Sequence, residues 1–236
     1  TTELRYGVAI AYDLTEDPSL LSIAKTQGWV VPTPEGRKLA RAIADGKARP
    51  FPFRTMMLRD GGDGDRGALV VLRSGSAPTD AAIVFKPTLK VSATDISTAW
   101  DYHYDNGDEI VADYGAARFL NVAPKNGGRY LPENESWAKQ TVAHNTLVVD
   151  ESSQFNGDWR LAEEHPSQVL AFDDTPGASF AYAKSDQAYD GVDVRRVVAL
   201  VDRPSGGTYA VDVMMAEGNQ THTFDLPIHF KGQLIE

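Results

Sequence analysis

The run VDVRRVVALVDRPSGGTYAVDVMMAEG, residues 192–218, decides the fold class. Two stretches dense in Val, with Leu, Met and Tyr, flank the punctuation Pro204-Ser205-Gly206-Gly207. β-Branched and aromatic residues suit a pleated, half-buried surface, and Pro and Gly cut it into separate strands. Outward from this pair the same rhythm repeats. Upstream lie ALVVLRSG, AAIVFKP, WDYHY, DEIVADYG, TLVVDE, QVLAF and SFAYAK, and downstream lies THTFDLPIHF. Asn106-Gly107, Pro176-Gly177, Asp190-Gly191 and Gly218-Asn219 part them. Ten such runs, with no strand–helix alternation, predict a mainly β chain: an antiparallel β-sandwich over residues 51–236.

Residues 1–50 read differently. Asp17-Pro18 ahead of SLLSIAKTQG, and Thr33-Pro34-Glu35 ahead of GRKLARAIADG, each set a capping side chain and a proline at a helix start. Gly28 and Gly46 are the stops. Leu39, Ala40 and Ile43 give the second helix an apolar face. Two short helices are too few to enclose a core. They are expected to pack on the sandwich, or to be the end of a larger helical domain. The cluster DGGDGDRG, residues 60–67, reads as a solvated hairpin tip, because the twelve-residue calcium loop with its closing Glu is absent.

Composition narrows the function. The 236 residues are 42% apolar, enough for a core, and carry 33 acids against 23 bases. A net charge of -10 without a Lys/Arg cluster argues against nucleic acid as a partner, but leaves room for a local basic pocket that takes an acidic sugar. With no cysteine, neither disulfides nor thiolate metal sites can form. No apolar run reaches membrane-span length, so no membrane partner is expected. TTELRYGVAIAYD lacks the pattern of a signal peptide, and an exported protein would have lost its signal before this numbering begins.

The chemistry gathers in residues 101–151. Strand-like EIVADYG and AHNTLVV flank a long polar stretch that carries Arg118, Arg129, Tyr130, Asn134, Trp137, Lys139 and Gln140. A loop of that length inside a compact domain usually has a function. With period two, Glu109, Val111 and Asp113 share one face, and Val142, His144, Thr146 and Val148 share another, with Asn145 opposite. Asp113 and His144 are then either half of a zinc site or an Asp–His hydrogen bond within a sheet. Arg118 can grip a carboxylate with two prongs, from a ligand or from an internal acid. Tyr130 can pack or move a proton. His103 and His165 are isolated and read as ordinary, partly buried histidines, and His222 and His229 lie in the closing THTFDLPIHF. No nucleophile elbow, phosphate loop or catalytic carboxylate pair is present.

The runs DYGAARFLNV and GGRYLPENESWAKQTVAHNTLVVDE resemble the β-sandwich domain of the oligo-alginate lyases of polysaccharide lyase family seventeen, and more widely the heparinase II/III-like C-terminal domains. SIAKTQGWVVPTPEGRKLARAIADGKARPFPFR and FDLPIHFKGQLIE are similar to the same family. The resemblance implies exolytic cleavage of alginate oligosaccharides by β-elimination at the C5 proton of a uronate. It implies a structural zinc on Asp113, His144 and a third ligand. It implies that Arg118 and Tyr130 meet the substrate, with Tyr130 assisting proton transfer. It also implies an α/α toroid before the sandwich, of which residues 1–50 hold at most the last helices. That toroid supplies the tyrosine base and the group that neutralises the uronate carboxylate. A periplasmic or secreted bacterial setting follows, with the cytoplasm left open and a homodimer allowed. One departure stands out. The family's Gly-His-Gly-His-Phe-Asp is expected just before Tyr104-Asp105-Asn106-Gly107, but Ser92-Ala93-Thr94-Asp95-Ile96-Ser97 stands there. Ala93 cannot transfer a proton, whereas Asp95 can still bind zinc. The expectation is the C-terminal part of an alginate lyase, weakly active or inactive alone. The alternatives are a non-catalytic sandwich that binds acidic glycans and a lyase for another uronate polymer.

Overall fold

The computed structural model describes residues 2–87, 99–105, 107–113 and 132–233. It divides into two compact units, Thr1–Phe53 and Arg54–Glu236.

Among the described residues the first unit has three helices, not two: α1 (Thr2–Thr15), α2 (Leu20–Thr26) and α3 (Pro34–Ala44). α3 starts as its sequence dictates, with Pro34 in the first turn and the Thr33 hydroxyl accepting from Gly36 N–H at 3.2 Å. Gly36 has no alternative, because an added Cβ would stand 1.9 Å from the Val31 carbonyl oxygen. The Arg5 guanidinium lies 4.2 Å over the Trp29 ring. Ala9, Tyr12, Leu21, Ala24, Val31, Leu39 and Ala42 form a buried cluster. This corrects the expectation that the helices lack a core of their own. α1 was missed because apolar residues surround it. Ala9 and Tyr12 face inward, while Leu4, Ile10 and Leu14 point outward, 64%, 49% and 79% exposed. Among the described residues no helix is long and apolar enough to cross a membrane.

The second unit is built of antiparallel sheets. β1 (Met56–Arg59), β2 (Ala68–Arg73), β3 (Ala82–Lys86), β4 (Ala99–Asp105) and β5 (Asp108–Val111) lie in chain order. β7 (Gln168–Asp173), β8 (Ala178–Tyr189), β9 (Val192–Asp202) and β10 (Thr208–Gly218) form the second sheet, ordered β10-β9-β8-β7. Every second residue of β2 is buried, and β9 alternates the same way. Val70, Leu72, Ile83 and Phe85 from the first sheet meet Ala181, Ala183, Val198 and Leu200 from the second, which makes the core of a β-sandwich. The DGGDGDRG cluster closes the β1–β2 hairpin, with left-handed backbone at Gly61, Gly64 and Gly67.

The stretch AHNTLVV departs from the reading. It is not one strand. Only Val148–Val149 (β6) pairs, with Phe224–Asp225 (β11). Residues 144–146 bend, and His144, Asn145 and Thr146 are all buried, so strand alternation does not apply to them. The short helix α4 (Trp159–Glu164), capped by Asp158, was not anticipated either.

Candidate functional site

The chain leaves β5 at Val111 and is pinned at once. Ala112 N–H donates to the His229 carbonyl at 3.0 Å, and Lys231 N–H donates to the Ile110 carbonyl at 2.8 Å. Asn145 stitches the same point from the other side. Its Nδ2 donates to the Ala112 carbonyl at 3.2 Å, and its Oδ1 accepts from His229 N–H at 2.5 Å. Asp113 is thereby aimed at the neighbouring His144, with Oδ1 2.6 Å from Nδ1. Both side chains are sequestered, at 3% and 1% exposure.

The other partner of His144 comes from turns. A π turn, Asn134–Ala138, precedes a 3-10 turn, Thr141–Ala143. Gln140 N–H donates to the Trp137 carbonyl at 2.8 Å, and His144 N–H donates to the Thr141 carbonyl at 3.0 Å. Buried Thr141 is the hub. Its N–H donates to Ser153 Oγ at 3.1 Å, and its Oγ1 accepts from Gln154 N–H at 2.8 Å. Ser153 Oγ donates in turn to Gln140 Oε1 at 2.5 Å. Side chains here satisfy backbone groups that a sheet ladder would otherwise satisfy. The result sets the carbonyl of fully buried Ala138 against His144 Nε2 at 3.0 Å.

Arg196 supports this segment from the second sheet. It sits on the inward face of β9 with 0% exposure. Its Nε and Nη2 clasp Asp212 Oδ1 and Oδ2 at 2.8 and 2.7 Å, and its Nη1 donates to the Asn145 carbonyl. A guanidinium can lie this deep only where its donors are met. Leu147, Val149 and Phe155 then pack on Ala188, Val192 and Val194, and the Tyr189 hydroxyl donates to the Leu147 carbonyl at 2.8 Å. Burial pushes that phenol well above its ordinary range.

Asp113 and His144 are therefore together, but His144 is delivered by turns rather than by a strand. Ala93, Asp95, Arg118 and Tyr130 lie outside the described residues. Two pairs were missed. The signal for Arg196–Asp212 was an arginine at inward parity among Val192, Val194, Val198 and Leu200. The second pair is Asp150–His222, Oδ2 to Nδ1 at 2.7 Å, with Asp150 Oδ1 accepting from Thr223 N–H at 2.8 Å. The imidazole beside it, and then that N–H, hold the Asp150 carboxyl below its ordinary value. Asp150 and Glu151 turn the chain with φ of 51° and 55°, where Asn or Gly would have advertised the turn.

The Asp113–His144 pair fits a zinc ion as far as its donors are described. A carbonyl oxygen only accepts, so Nε2 carries the hydrogen that faces Ala138, and Nδ1 is the nitrogen left for Asp113. A far nitrogen fixed by a backbone carbonyl is the usual arrangement of a metal-ligating histidine. A ring nitrogen and a carboxylate oxygen 2.6 Å apart share a proton, since two ligands of one zinc at about 2.0–2.2 Å each stand farther apart than that. Zinc accepts nitrogen and oxygen donors, although its longer bonds would open the pair. Among the described residues no group of three His, Asp or Glu side chains gathers to complete a metal site.

The Heparinase II/III-like, C-terminal family model matches residues 102–235, a span that holds the whole site. An alginate lyase of Stenotrophomonas maltophilia is 46% identical over 237 residues, and an exo-oligoalginate lyase of Saccharophagus degradans is 44% identical over 238. Each alignment takes in 100% of this chain but 32% of the relative, so the chain spans about a third of their length. With more than half its length matched, and with the turn-built Asp113–His144 site inside that match, the chain belongs to the heparinase II/III-like C-terminal family.

Proposed function

We propose that this chain is the C-terminal part of an exolytic lyase that cleaves alginate oligosaccharides by β-elimination. The observation that carries the reading is the buried Asp113–His144 contact at 2.6 Å, which ties together both ends of the segment holding Arg118 and Tyr130. The names of the two relatives support the substrate class. In the elimination a base takes the C5 proton, the C4–O bond breaks, a C4=C5 double bond forms, and the leaving oxygen takes up a proton. Arg118 is assigned to the anionic sugar, where a two-pronged guanidinium matches a carboxylate. Tyr130 is assigned to proton delivery at the leaving oxygen. The base and the group that neutralises the carboxylate belong to a preceding α/α toroid. The greater length of the relatives supports such a domain, and so does the outward apolar row of α1.

Asp113, His144 and Asp95 would hold the zinc. When bound, it supplies a structural cross-link and takes no part in the elimination. A cleft of about 620 Å³ elsewhere on the sandwich is lined by Asp80, Asp105 and Asp202 with Arg203. Its acidic lining repels a polyuronate, so the substrate is assigned to the Arg118 segment instead. A periplasmic or secreted location completes the reading.

The test is ultraviolet absorbance of the unsaturated product when alginate oligosaccharides meet this chain joined to its preceding toroid; the chain alone is expected to be weakly active or inactive. Release of unsaturated monomer from one chain end is expected. Arg118→Ala should lower kcat/KM roughly 10–100-fold, as expected for losing one charge-assisted pair. Absence of unsaturated product from the toroid-joined protein sinks the reading.

A further inference from the structure

The helical unit holds a cleft that the reading above does not use. Its volume is about 560 Å³, within the range of small-ligand sites. Buried Tyr12 and Ala42 belong to its lining. Its charged lining is mostly basic, with Arg37, Lys38, Arg41 and Lys47 against Glu16 and Asp45. Both acids are already matched by the lysines. Lys38 Nζ lies 2.9 Å from Glu16 Oε1 and 3.0 Å from Asp13 Oδ1, and Lys47 Nζ lies 3.5 Å from Asp45 Oδ2. The two arginines are left over. Arg37 spends one nitrogen on the Pro32 carbonyl at 3.3 Å, and the exposed Arg41 guanidinium meets no acid and no carbonyl among the described residues. They stand four positions apart on α3, so their side chains leave the helix on one face. Like charges at that spacing weaken a helix. A chain with 33 acids against 23 bases has counter-charge to spare, yet it leaves this pair without any.

We infer that this cleft is an anion site of the helical unit, in which Arg37 and Arg41 each take one carboxylate of an acidic oligosaccharide. A guanidinium presents parallel N–H donors that match the two oxygens of a carboxylate. Two guanidiniums on one helix face suit a ligand that carries carboxylates in series, one on each sugar, better than they suit a single small anion. Lys38 and Lys47 keep the lining acids neutralised, so neither carboxylate of the ligand meets an unmatched negative charge. The choice of sugar rests on the oligo-uronate reading, whereas the site itself rests on the cleft and its unmatched arginines. The site holds the sugar chain and takes no part in breaking the C4–O bond. Both guanidiniums lie at the surface, so the binding is sensitive to salt.

The experiment labels arginines with a dicarbonyl reagent in this chain joined to its preceding toroid, and reads each modified residue by mass spectrometry. Alginate tetrasaccharide is added in large excess over the protein, so that turnover leaves it intact during the pulse. Arg37 and Arg41 should react in the free protein. With the tetrasaccharide at about ten times its Kd, both should react about tenfold more slowly, as mass action requires. A neutral tetrasaccharide of glucose should not protect them, and neither should acetate at the same carboxylate concentration. The protection should fade as salt rises. In Arg41→Ala the sugar should protect Arg37 only weakly, because one of the two carboxylate contacts is gone. Arginines already shielded in the free protein, labelling unchanged by the tetrasaccharide, equal protection by acetate, or undiminished protection of Arg37 in Arg41→Ala overturns the inference. Unsaturated product alongside unprotected arginines keeps the lyase reading and removes this site. Protection without unsaturated product removes the lyase reading and leaves the site standing.

Discussion

The β8–β9–β10 hairpins and the turns of residues 132–158 are both buried at their centres, yet they are held by opposite means. In the hairpins the backbone satisfies itself through the ladder, and the side chains need only alternate, as β9 does from Val192 to Leu200. In the turns the backbone is satisfied by individual side chains: Thr141, Asn145, His144 and Ser153. A pattern tolerates substitution by anything of similar shape. A named partner does not, because losing it strands a buried donor or acceptor. Arg196 is where the two regimes meet, a single polar side chain placed by the pattern and required by the turns.

Breaking that junction gives the largest effect. Arg196→Met leaves Asp212 without its counter-charge and the Asn145 carbonyl without its donor. A loss of about 3–5 kcal/mol in urea unfolding is expected. Adding Asp212→Leu should recover much of the stability, since a buried ion pair is replaceable by apolar groups. It should not recover lyase activity, because the Asn145 carbonyl, and with it His144, stays unsupported. A cost below about 1 kcal/mol for the single change would mean that the turns do not lean on the second sheet at all.

A smaller effect tests what lies between Asp113 and His144. If zinc occupies the pair, protein equilibrated with metal at about a hundredfold over Kd gains about 2.7 kcal/mol, or roughly 5–10 °C in Tm for a domain of this size, and a chelator removes it. His144→Ala should then show no response to the chelator. Zinc-free protein whose Tm ignores the chelator leaves a proton in the gap, and the turns hold without metal.

The same contrast explains what could be read in advance. β2, β8, β9 and β10 were legible because period two is a local property of sequence. α2 and α3 were legible because Asp17, Thr33 and the prolines after them are local signals. AHNTLVV was misread because its residues are strand-like, while its conformation is fixed by partners far along the chain. Asn145 reaches Ala112 and His229, 33 and 84 positions away. Asp113 and His144 could be recognised as companions, but the carbonyl that orients the ring belongs to a π turn with no sequence signature. α1 had no start signal and no clean polar face, so its helical period was hidden.

The smallest effect lies at the far end of the turn segment and is read through pH. Asp150 is half exposed, and its carboxyl is held below the ordinary value of about 3.9, chiefly by the His222 ring and then by Thr223 N–H. A depressed carboxyl contributes stability that is fully present above its unfolded value and is lost as pH falls through its folded value. Asp150→Asn keeps the oxygen that accepts from Thr223 and suits the positive φ, but it carries no charge. The variant should therefore melt below wild type near pH 6, and the two curves should converge as pH falls through the lowered folded value of the carboxyl. Because the carboxyl is open to solvent, the gap should be small and should shrink in salt. A gap that stays constant from pH 6 down to pH 2.5 would show that the His222 contact contributes shape rather than charge. Asp150 would then belong with the hairpins, where any residue of the right form suffices.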